Sequence, residues 1–332
     1  MSLLVAVLHN LRRQTGRPGD SGESAALDAE YDTQETIDAL CAALEASGHR
    51  AVPVEADVDC LHALARVRPD LAFNVAEGLP GDGREAQAPA MCDMLGIPHT
   101  GSGVLTLALC LDKAMTKRVL RHEGVPTPAF CVVPPGAVAD AAGLRFPLFV
   151  KPLREGTSMG ISPRSLVSGA RELAAQVAAV HQAYGEPALV EEFLAGREFT
   201  VGLLGNGSQL TVLPITEIDY GQLPADYPPV YTYQFKKEWE DHRYFLLPAP
   251  LQPGLAQRLR QTAIATFHAV GCLDVARVDL RLDRDGIPQV LEINPLPGMA
   301  PGSSDLPKQA DAAGLGYPGL VAAIVDAALA RR

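Results

Sequence analysis

The sequence predicts an α/β protein that begins with a parallel sheet. Strand-like and helix-like stretches alternate through residues 3–73, and this alternation is typical of open parallel sheets. More mixed strand and helix patterns follow, and an acidic strand pair lies near the C-terminal end. The chain has 332 residues, which is too long for one small core. We therefore expect two or three domains.

The first segment contains three predicted strands joined by two helices. Residues 3–8 form an apolar run that is typical of a buried parallel strand. The apolar residues of 33–46 recur with a helical period, and a shorter helix is expected over 61–67. Short apolar runs at 51–54 and 71–73 complete the β-α-β-α-β pattern.

The rest of the chain repeats strands and helices in a mixed order. Gly and Pro at 124–128 indicate a helix end and a linker, and a Gly- and Ser-rich loop is expected over 155–160. The predicted helices are 84–95, 113–123, 170–183 and 319–330, and the predicted strands are 129–133, 148–151, 188–193, 198–204, 276–281 and 290–295.

Composition and charge exclude some classes of partner. The formal net charge of −11 argues against broad binding of nucleic acid or of an anionic membrane. The six cysteines are scattered without a Cys-x-x-Cys pair, a pattern typical of free thiols in a reducing cytoplasm. The run at 3–8 is too short for a signal peptide or a membrane span. We expect a cytoplasmic protein without nucleic-acid or membrane partners.

Two acidic strand segments predict a metal site. Arg277 and Asp279 alternate on the first, Glu292 and Asn294 alternate on the second, and a turn at 283–286 separates them. Alternation puts these side chains on one face of an antiparallel pair. Mg²⁺ prefers oxygen ligands and usually completes its octahedron with water and phosphate. The pattern therefore indicates a site for a metal-bound nucleotide.

Basic and glycine-rich positions upstream fit the phosphates of such a nucleotide. Lys113 opens a predicted helix, and Lys151 ends an apolar strand, so each offers an ammonium group. The small residues of loop 154–160 let backbone N–H groups approach phosphate oxygens. Taken alone, each lysine also fits a solvated surface position, and the loop also fits a Gly/Ser turn. The occurrence of all these features in one order favours the nucleotide site.

Two further positions fit the same site. Glu191 is followed closely by Phe193 and Leu194 at a strand end, a combination that suits adenine and ribose. A hairpin with solvated glutamates fits these residues equally well. Gly298 lies in a turn after Asn294, and its N–H can stabilise an oxyanion if Arg277 faces the same point. An ordinary loop is the alternative there.

With these motifs the chain resembles the ATP-grasp superfamily and, within it, the D-alanine–D-alanine ligase family. The resemblance implies an ATP-grasp fold of three α/β subdomains. The first, 1–110, is a substrate-side parallel-sheet domain. The other two, 111–205 and 206–332, clasp ATP, and the last carries the metal and catalytic site. The matching stretches are 81–87, 99–113, 149–162, 189–202 and 276–299.

The resemblance also implies roles for the matching positions in binding ATP. The two lysines would bind its phosphates under a closing Gly loop, and Glu198 would take the ribose hydroxyls. The implied ATP-binding residues are Lys113, Lys151, Gly156, Ser158, Gly160, Glu191, Phe193, Leu194 and Glu198.

The catalytic and metal roles follow from the same resemblance. Asp279, Glu292 and Asn294 would ligate two Mg²⁺ ions, for which Mn²⁺ can substitute. Arg277 and the Gly298 N–H would stabilise the tetrahedral intermediate.

Departures from the family pattern concern the substrates. Glu77 stands where D-alanine ligases have the histidine of a His-Gly segment. The amino-terminal glutamate motif that orients the first amino acid is not legible, and Glu30 is its nearest candidate. Thr157 replaces the Gly-loop serine that contacts this glutamate.

Two more departures lie in the C-terminal third. Lys236-Lys237 replaces the family's Lys-Tyr pair, and the second lysine either receives another anionic group or is solvated. Ser303 falls where the family binds the carboxylate of the second amino acid. The turn 301–305 is one residue longer than usual, so Ser304 is a candidate as well.

We therefore expect an ATP- and Mg²⁺-dependent ligase that joins a carboxylate to an amine through an acyl phosphate. Its substrates would be amino-acid-like small molecules, and the family implies a homodimer. A small-molecule phosphotransferase is one alternative, against which the seat at Ser303 for a second substrate argues. A non-catalytic nucleotide-binding regulator is another, against which the complete set of metal ligands argues.

Overall fold

Three sheets follow one another along the chain. The computed structural model describes residues 2–12, 30–141, 143–156, 158–223, 228–232 and 244–331. One three-stranded, one four-stranded and one six-stranded sheet lie within this part. The mixture of parallel and antiparallel sheets with helices confirms the predicted α/β class.

The first sheet is parallel, as predicted. β1 (Leu4–His9) lies between β2 (Arg50–Glu55) and β3 (Leu71–Asn74). Helices α1 (Gln34–Ala46) and α2 (Cys60–Val67) connect these strands. Parallel strands need such crossover connections, and their apolar side chains are covered on both faces.

Three helices link this sheet to the next one. They are α3 (Gln87–Leu95), α4 (Val104–Leu111) and α5 (Lys113–His122). Residues 84–86 form a single 3₁₀ turn before α3, so the helix predicted over 84–95 begins later. Asp112 is the N-cap of α5, and its side chain accepts hydrogen bonds from two backbone N–H groups of the first turn.

The second sheet is antiparallel, and one helix covers it. Its elements are β4 (Phe130–Val133), β5 (Leu148–Pro152), β6 (Leu166–Val167), α6 (Ala170–Tyr184) and β7 (Ala188–Glu192). The strand order is β4-β7-β5-β6, and the apolar face of α6 packs on residues of the central strands.

The third sheet holds the acidic strand pair. Its order is β11-β10-β8-β12-β13, with β9 paired to β8. β8, which the predicted boundary at 205 assigns to the central subdomain, pairs with β10 and β12 of this sheet. The strands are β8 (Glu198–Leu204), β9 (Thr211–Val212), β10 (Thr216–Ile218), β11 (Phe245–Leu246), β12 (Val275–Leu282) and β13 (Pro288–Asn294).

Helices at the C-terminal end join the third sheet to the first. α7 (Pro253–Ala269) packs on the third sheet through Leu259, Ala263 and Phe267. α8 (Asp305–Ala312) and α9 (Gly316–Leu329) share one apolar core with α1 and the first sheet. Among the described residues, no single helix is long and apolar enough to cross a bilayer, and the bent pair α8–α9 meets the criterion only jointly, by length and composition.

A buried aspartate ties these parts together. Asp274 is fully buried directly before β12, and its carboxylate accepts hydrogen bonds from the Gly101 N–H at 2.8 Å and from Asn206 Nδ2 at 2.7 Å. Arg331, after α9, donates to both of its oxygens at 2.8 and 2.6 Å. Residues from three distant parts of the chain therefore depend on one carboxylate.

We predict that Asp274→Ala lowers the free energy of unfolding by about 2–4 kcal/mol, because the Gly101 N–H and the Asn206 amide lose their acceptor and the partly exposed Arg331 loses its ion pair. Asp274→Asn is expected to cost less, since asparagine keeps an acceptor and tolerates the residue's φ of 63°. Urea denaturation measures both. Arg284→Ala, at an exposed position, is the control and should change stability by less than about 0.5 kcal/mol.

Candidate active site

The acidic strand pair forms as predicted. The β12–β13 register places Arg277 opposite Asn294 and Asp279 opposite Glu292. Arg277 donates through Nε and Nη2 to the two oxygens of Asp279, at 3.1 and 2.9 Å. Asn294 Nδ2 also donates to Asp279, at 3.2 Å, as does Thr200 Oγ1 from β8, at 2.8 Å. The guanidinium, both carboxylates and the carboxamide therefore meet on one face.

The donor set of this face fits Mg²⁺. Asp279, Glu292 and Asn294 offer carboxylate and amide oxygens, which hard divalent ions prefer. Within the described residues, no group of three or more His, Cys, Asp or Glu side chains forms a metal-type cluster. The protein can thus supply two carboxylates here, and water and substrate phosphate have to complete the shell.

A cleft of about 860 Å³, open to solvent, lies between the second and third sheets beside this face. Phe149 and Phe193 form part of its wall, with ring centroids 6.4 Å apart. Apolar rings, a buried lysine and carboxylates suit a purine nucleotide. The predicted ATP-binding residues that line this cleft are Lys151, Ser158, Glu191, Phe193, Leu194 and Glu198.

Two buried lysines share Glu191. Lys117 Nζ lies 2.6 Å from one carboxylate oxygen and Lys151 Nζ lies 2.8 Å from the other. Burial opposes the charge on Glu191, but the two ammonium groups outweigh it and lower its pKa to about 2. Burial lowers the pKa of Lys117 to about 8, against the attraction of Glu191. The cluster keeps one uncompensated positive charge, which suits an anionic phosphate.

Lys117 is a second lysine of α5 that was not predicted as a site residue, whereas Lys113 was. The structure separates them: Lys113 Nζ donates to the Glu155 backbone oxygen at 2.5 Å and lies 3.9 Å from Glu292. It lines a second cleft rather than the first. Lys117 follows one helical turn later on α5. Residues four positions apart lie on the same face of a helix, so the spacing from Lys113 could have indicated that Lys117 lies near the same site.

The second cleft, of about 750 Å³, adjoins the first. Arg277 and Glu292 line both clefts, so the two spaces meet at the acidic strand pair. The predicted positions that line the second cleft are Glu30, Glu77, Lys113, Gly156, Asn294 and Gly298.

Glu30 connects the first segment to the Gly loop. Its Oε1 accepts a hydrogen bond from the Gly156 N–H at 2.7 Å, and its Oε2 lies 3.0 Å from Arg84 Nη2. Arg84 also donates to the Arg154 backbone oxygen at 3.0 Å. A Cβ at position 156 would lie 2.3 Å from Glu30 Oε1, so only glycine fits this contact. Glu30 thus lies beside the Gly loop in the wall of the second cleft, and its role toward a substrate stays a prediction.

Glu77 and Glu85 make the second cleft acidic. Burial, and then the neighbouring Glu85 and Glu30, raise the pKa of Glu77 well above its usual range. Burial raises the pKa of Glu85 to about 7, against the attraction of Arg84. Glu85 lies in the matching stretch 81–87, but it was not predicted as a site residue. A cationic group in the cleft would favour the ionised forms of both glutamates.

The turn after β13 places Gly298 near Ser304. A Cβ on Gly298 would lie 2.9 Å from Ser304 Oγ, and Ser304 Oγ accepts from the Ala300 N–H at 3.2 Å. Ser303 is exposed and lines neither cleft. Asp305, which sequence analysis did not single out, begins α8 and lies 3.8 Å from Arg277 Nη1.

Some predicted positions are not in contact with the clefts or lie outside the described residues. Gly160, at a φ of 71°, packs against Pro152 in the Gly loop and lines neither cleft. Thr157, Lys236 and Lys237 fall outside the described residues.

Comparison with known proteins identifies the family. A family model described as D-ala D-ala ligase C-terminus matches residues 119–326. The chain belongs to the D-alanine–D-alanine ligase family. A D-alanine–D-alanine ligase of Sinorhizobium fredii is 35% identical over 84% of this chain and 87% of its own length. An uncharacterized protein of the same strain, y4sG, is 39% identical over 88% of this chain and 86% of its own length.

The fold of a solved family member agrees. The crystal structure of the Bacillus anthracis D-alanine–D-alanine ligase complexed with ATP covers 99% of this chain and 98% of its own, with a TM-score of 0.74 and 26% identity. These matches confirm the predicted family, the ATP-grasp fold and the enzyme class, an ATP-dependent ligase.

The buried glutamates generate a pH prediction. The folded state retains a proton on Glu85 up to a pH of about 7, whereas the unfolded chain loses it near 4.5. The free energy of unfolding therefore falls as the pH rises through this window. We predict that the free energy of unfolding falls less between pH 5 and pH 7.5 in Glu85→Gln than in the wild-type chain, because glutamine has no proton to lose. Urea denaturation at the two pH values measures this difference. Glu45→Gln, at an exposed position, should leave the fall unchanged, and equal slopes in both variants would contradict the assignment.

Proposed function

We propose that this protein joins the carboxylate of one amino-acid-like molecule to the amine of another with the cleavage of ATP. One observation supports this most: a cleft walled by aromatic rings, a buried lysine and carboxylates meets a second, polar cleft at Arg277 and Glu292. A phosphotransferase needs one acceptor beside its nucleotide, and a second cleft that continues to the Gly298 turn suits an additional substrate. The ligase is therefore favoured over the phosphotransferase.

In the proposed reaction the carboxylate oxygen of the first substrate attacks the γ-phosphorus of ATP. The bond from that phosphorus to the bridging oxygen breaks, and an acyl phosphate and ADP result. The amine of the second substrate then attacks the acyl carbon, loses a proton, and displaces inorganic phosphate to leave an amide. Arg277 and Gly298 both line the second cleft, where the guanidinium and the Gly298 N–H would stabilise the oxyanion of the tetrahedral intermediate.

The nucleotide roles follow the first cleft. Lys151 in this cleft and Lys113, which lies 3.9 Å from Glu292, would bind the phosphates, Phe193 and Leu194 the base, and Glu198 the ribose hydroxyls. Asp279, Glu292 and Asn294 would hold two Mg²⁺ ions, or Mn²⁺ in their place. When bound, the metal would neutralise charge on the transferring phosphoryl group.

The substrates are proposed to differ from a pair of D-alanines. Glu77 replaces the family's histidine, and with Glu85 it gives the second cleft two carboxylates for which the described residues show no hydrogen-bond donor. An ammonium group on the first substrate would satisfy them. In Sinorhizobium fredii, y4sG and a D-alanine–D-alanine ligase occur together, which supports a separate role for proteins of this type.

We also propose a cytoplasmic homodimer. The six cysteines are free thiols, four of them buried, as expected in a reducing compartment. Light scattering of the purified protein would test the dimer.

We predict that Glu292→Gln lowers ATP turnover by at least about a hundredfold while the fold is retained, because it removes one of two carboxylates at the junction. Phosphate release measures turnover, and circular dichroism measures folding. Glu45→Gln is the matched exposed control. Unchanged turnover in Glu292→Gln would remove the metal assignment. The substrates for this assay come from a phosphate-release screen of D- and L-amino acid pairs, with mass spectrometry of the amide product.

A second prediction concerns Glu77. Glu77→Gln should raise KM for the first substrate by about tenfold or more, because a charge-assisted hydrogen bond to its ammonium is lost. KM for ATP should stay within about twofold, since Glu77 lines only the second cleft. Steady-state kinetics with each substrate varied in turn checks this. A change confined to KM for ATP would place Glu77 outside the substrate site.

A further inference from the structure

Arg281 is a buried cation in the wall of the nucleotide cleft that the proposed reaction leaves without a role. It lies on β12, two residues after Asp279, and is 4% exposed. Its Nε donates to the Gly196 backbone oxygen at 3.1 Å, and its Nη1 donates to Glu198 Oε2 at 3.0 Å. The guanidinium is therefore fixed at two of its three nitrogens.

Aromatic rings hold the same guanidinium. Its carbon lies 4.6 Å from the ring centroid of Phe193 and 5.3 Å from that of Tyr220. Desolvated cation–π contacts of this kind are among the stronger ones. Phe193 also lines the cleft, so the arginine fixes the position of one of its apolar walls.

Tyr220 and Arg281 both bind the same carboxylate oxygen of Glu198. The Tyr220 hydroxyl donates to Glu198 Oε2 at 2.9 Å, and the Arg281 bond ends on the same atom. Burial raises the pKa of Glu198, whereas Arg281 and then Tyr220 lower it. Neither bond engages Oε1, so this oxygen can accept from a ligand.

Arg281 retains one unused donor. Its Nη2 is buried and has no hydrogen-bond partner among the described residues. Leaving a buried charged donor unpaired is costly, and such groups in native structures call for an explanation. Because Nη2 is closed to solvent, it does not face the cleft, and Arg281 acts on a ligand only through the carboxylate of Glu198.

We propose that Arg281 makes the nucleotide site selective for a ribonucleotide. It acts as a positioning residue that holds Glu198 with Oε1 open to the ribose diol. This inference rests on the proposed function, since it requires that the first cleft binds ATP with Glu198 at the ribose.

Binding of three nucleotides tests the inference without knowledge of the amino-acid substrates. Calorimetry in the presence of Mg²⁺ gives Kd values for ATP, 2′-deoxy-ATP and 3′-deoxy-ATP. The wild-type chain should bind ATP at least about tenfold more tightly than one of the deoxynucleotides, as a site built to bind a hydroxyl rejects the analogue that lacks it. Arg281→Met should weaken ATP and reduce this ratio to about one to three.

The control is a second arginine on the same sheet. Arg197 also pairs with a glutamate, Glu217, and also lies over an aromatic ring, but it lines neither cleft. Arg197→Met should leave the ratio of Kd values unchanged. If Arg281→Met does not fold, Arg281→Lys takes its place as the test variant. The lysine keeps a cation beside Glu198, so this variant should retain part of the ratio of Kd values.

The outcomes separate this inference from the proposed function. Equal weakening of all three nucleotides by Arg281→Met would show a merely structural role and overturn the inference. A wild-type chain that binds all three equally would overturn it without any variant. A wild-type chain that binds none of them would overturn the proposed function as well.

Discussion

The pairing of β12 with both β8 and β13 determines where the chemistry of this protein can occur. β12 brings Arg277, Asp279 and Arg281 along one face at alternate positions. β13 adds Glu292 and Asn294 from one side, and β8 adds Thr200 from the other. A shift of one residue in either register would turn these groups toward the core. The buried apolar residues between them, such as Val278 and Leu280, hold the register.

The buried carboxylates around this face are paired with cationic side chains. Glu191 lies between two ammonium groups, Arg277 bonds both oxygens of Asp279, and Arg281 bonds Glu198. Such pairs are expensive to desolvate and contribute little net stability. They hold each group in a fixed position before the ligand arrives, which is the condition for electrostatic stabilisation of a reaction.

The sequence was sufficient for features that repeat with a regular period, and less so for contacts between distant segments. Alternation along β12 and β13 predicted the meeting of Asp279 and Glu292, which the register confirms. Lys117 was not predicted as a site residue, because its ion pair with Glu191 joins positions 74 residues apart. β8 pairs with β12 across more than 70 residues, and no local pattern assigns it to that sheet.

The contrast between the two clefts explains why the nucleotide is easier to identify than the substrates. In the first cleft each carboxylate already faces a protein cation, so its charge is set by the chain itself. In the second, Glu30 is paired with Arg84, whereas burial raises the pKa of both Glu77 and Glu85 against the attraction of the same Arg84. A cation that enters the cleft would favour the ionised form of both carboxylates. The substrate would therefore supply the missing positive charge, and selectivity would follow from how well its amine fits between the two glutamates.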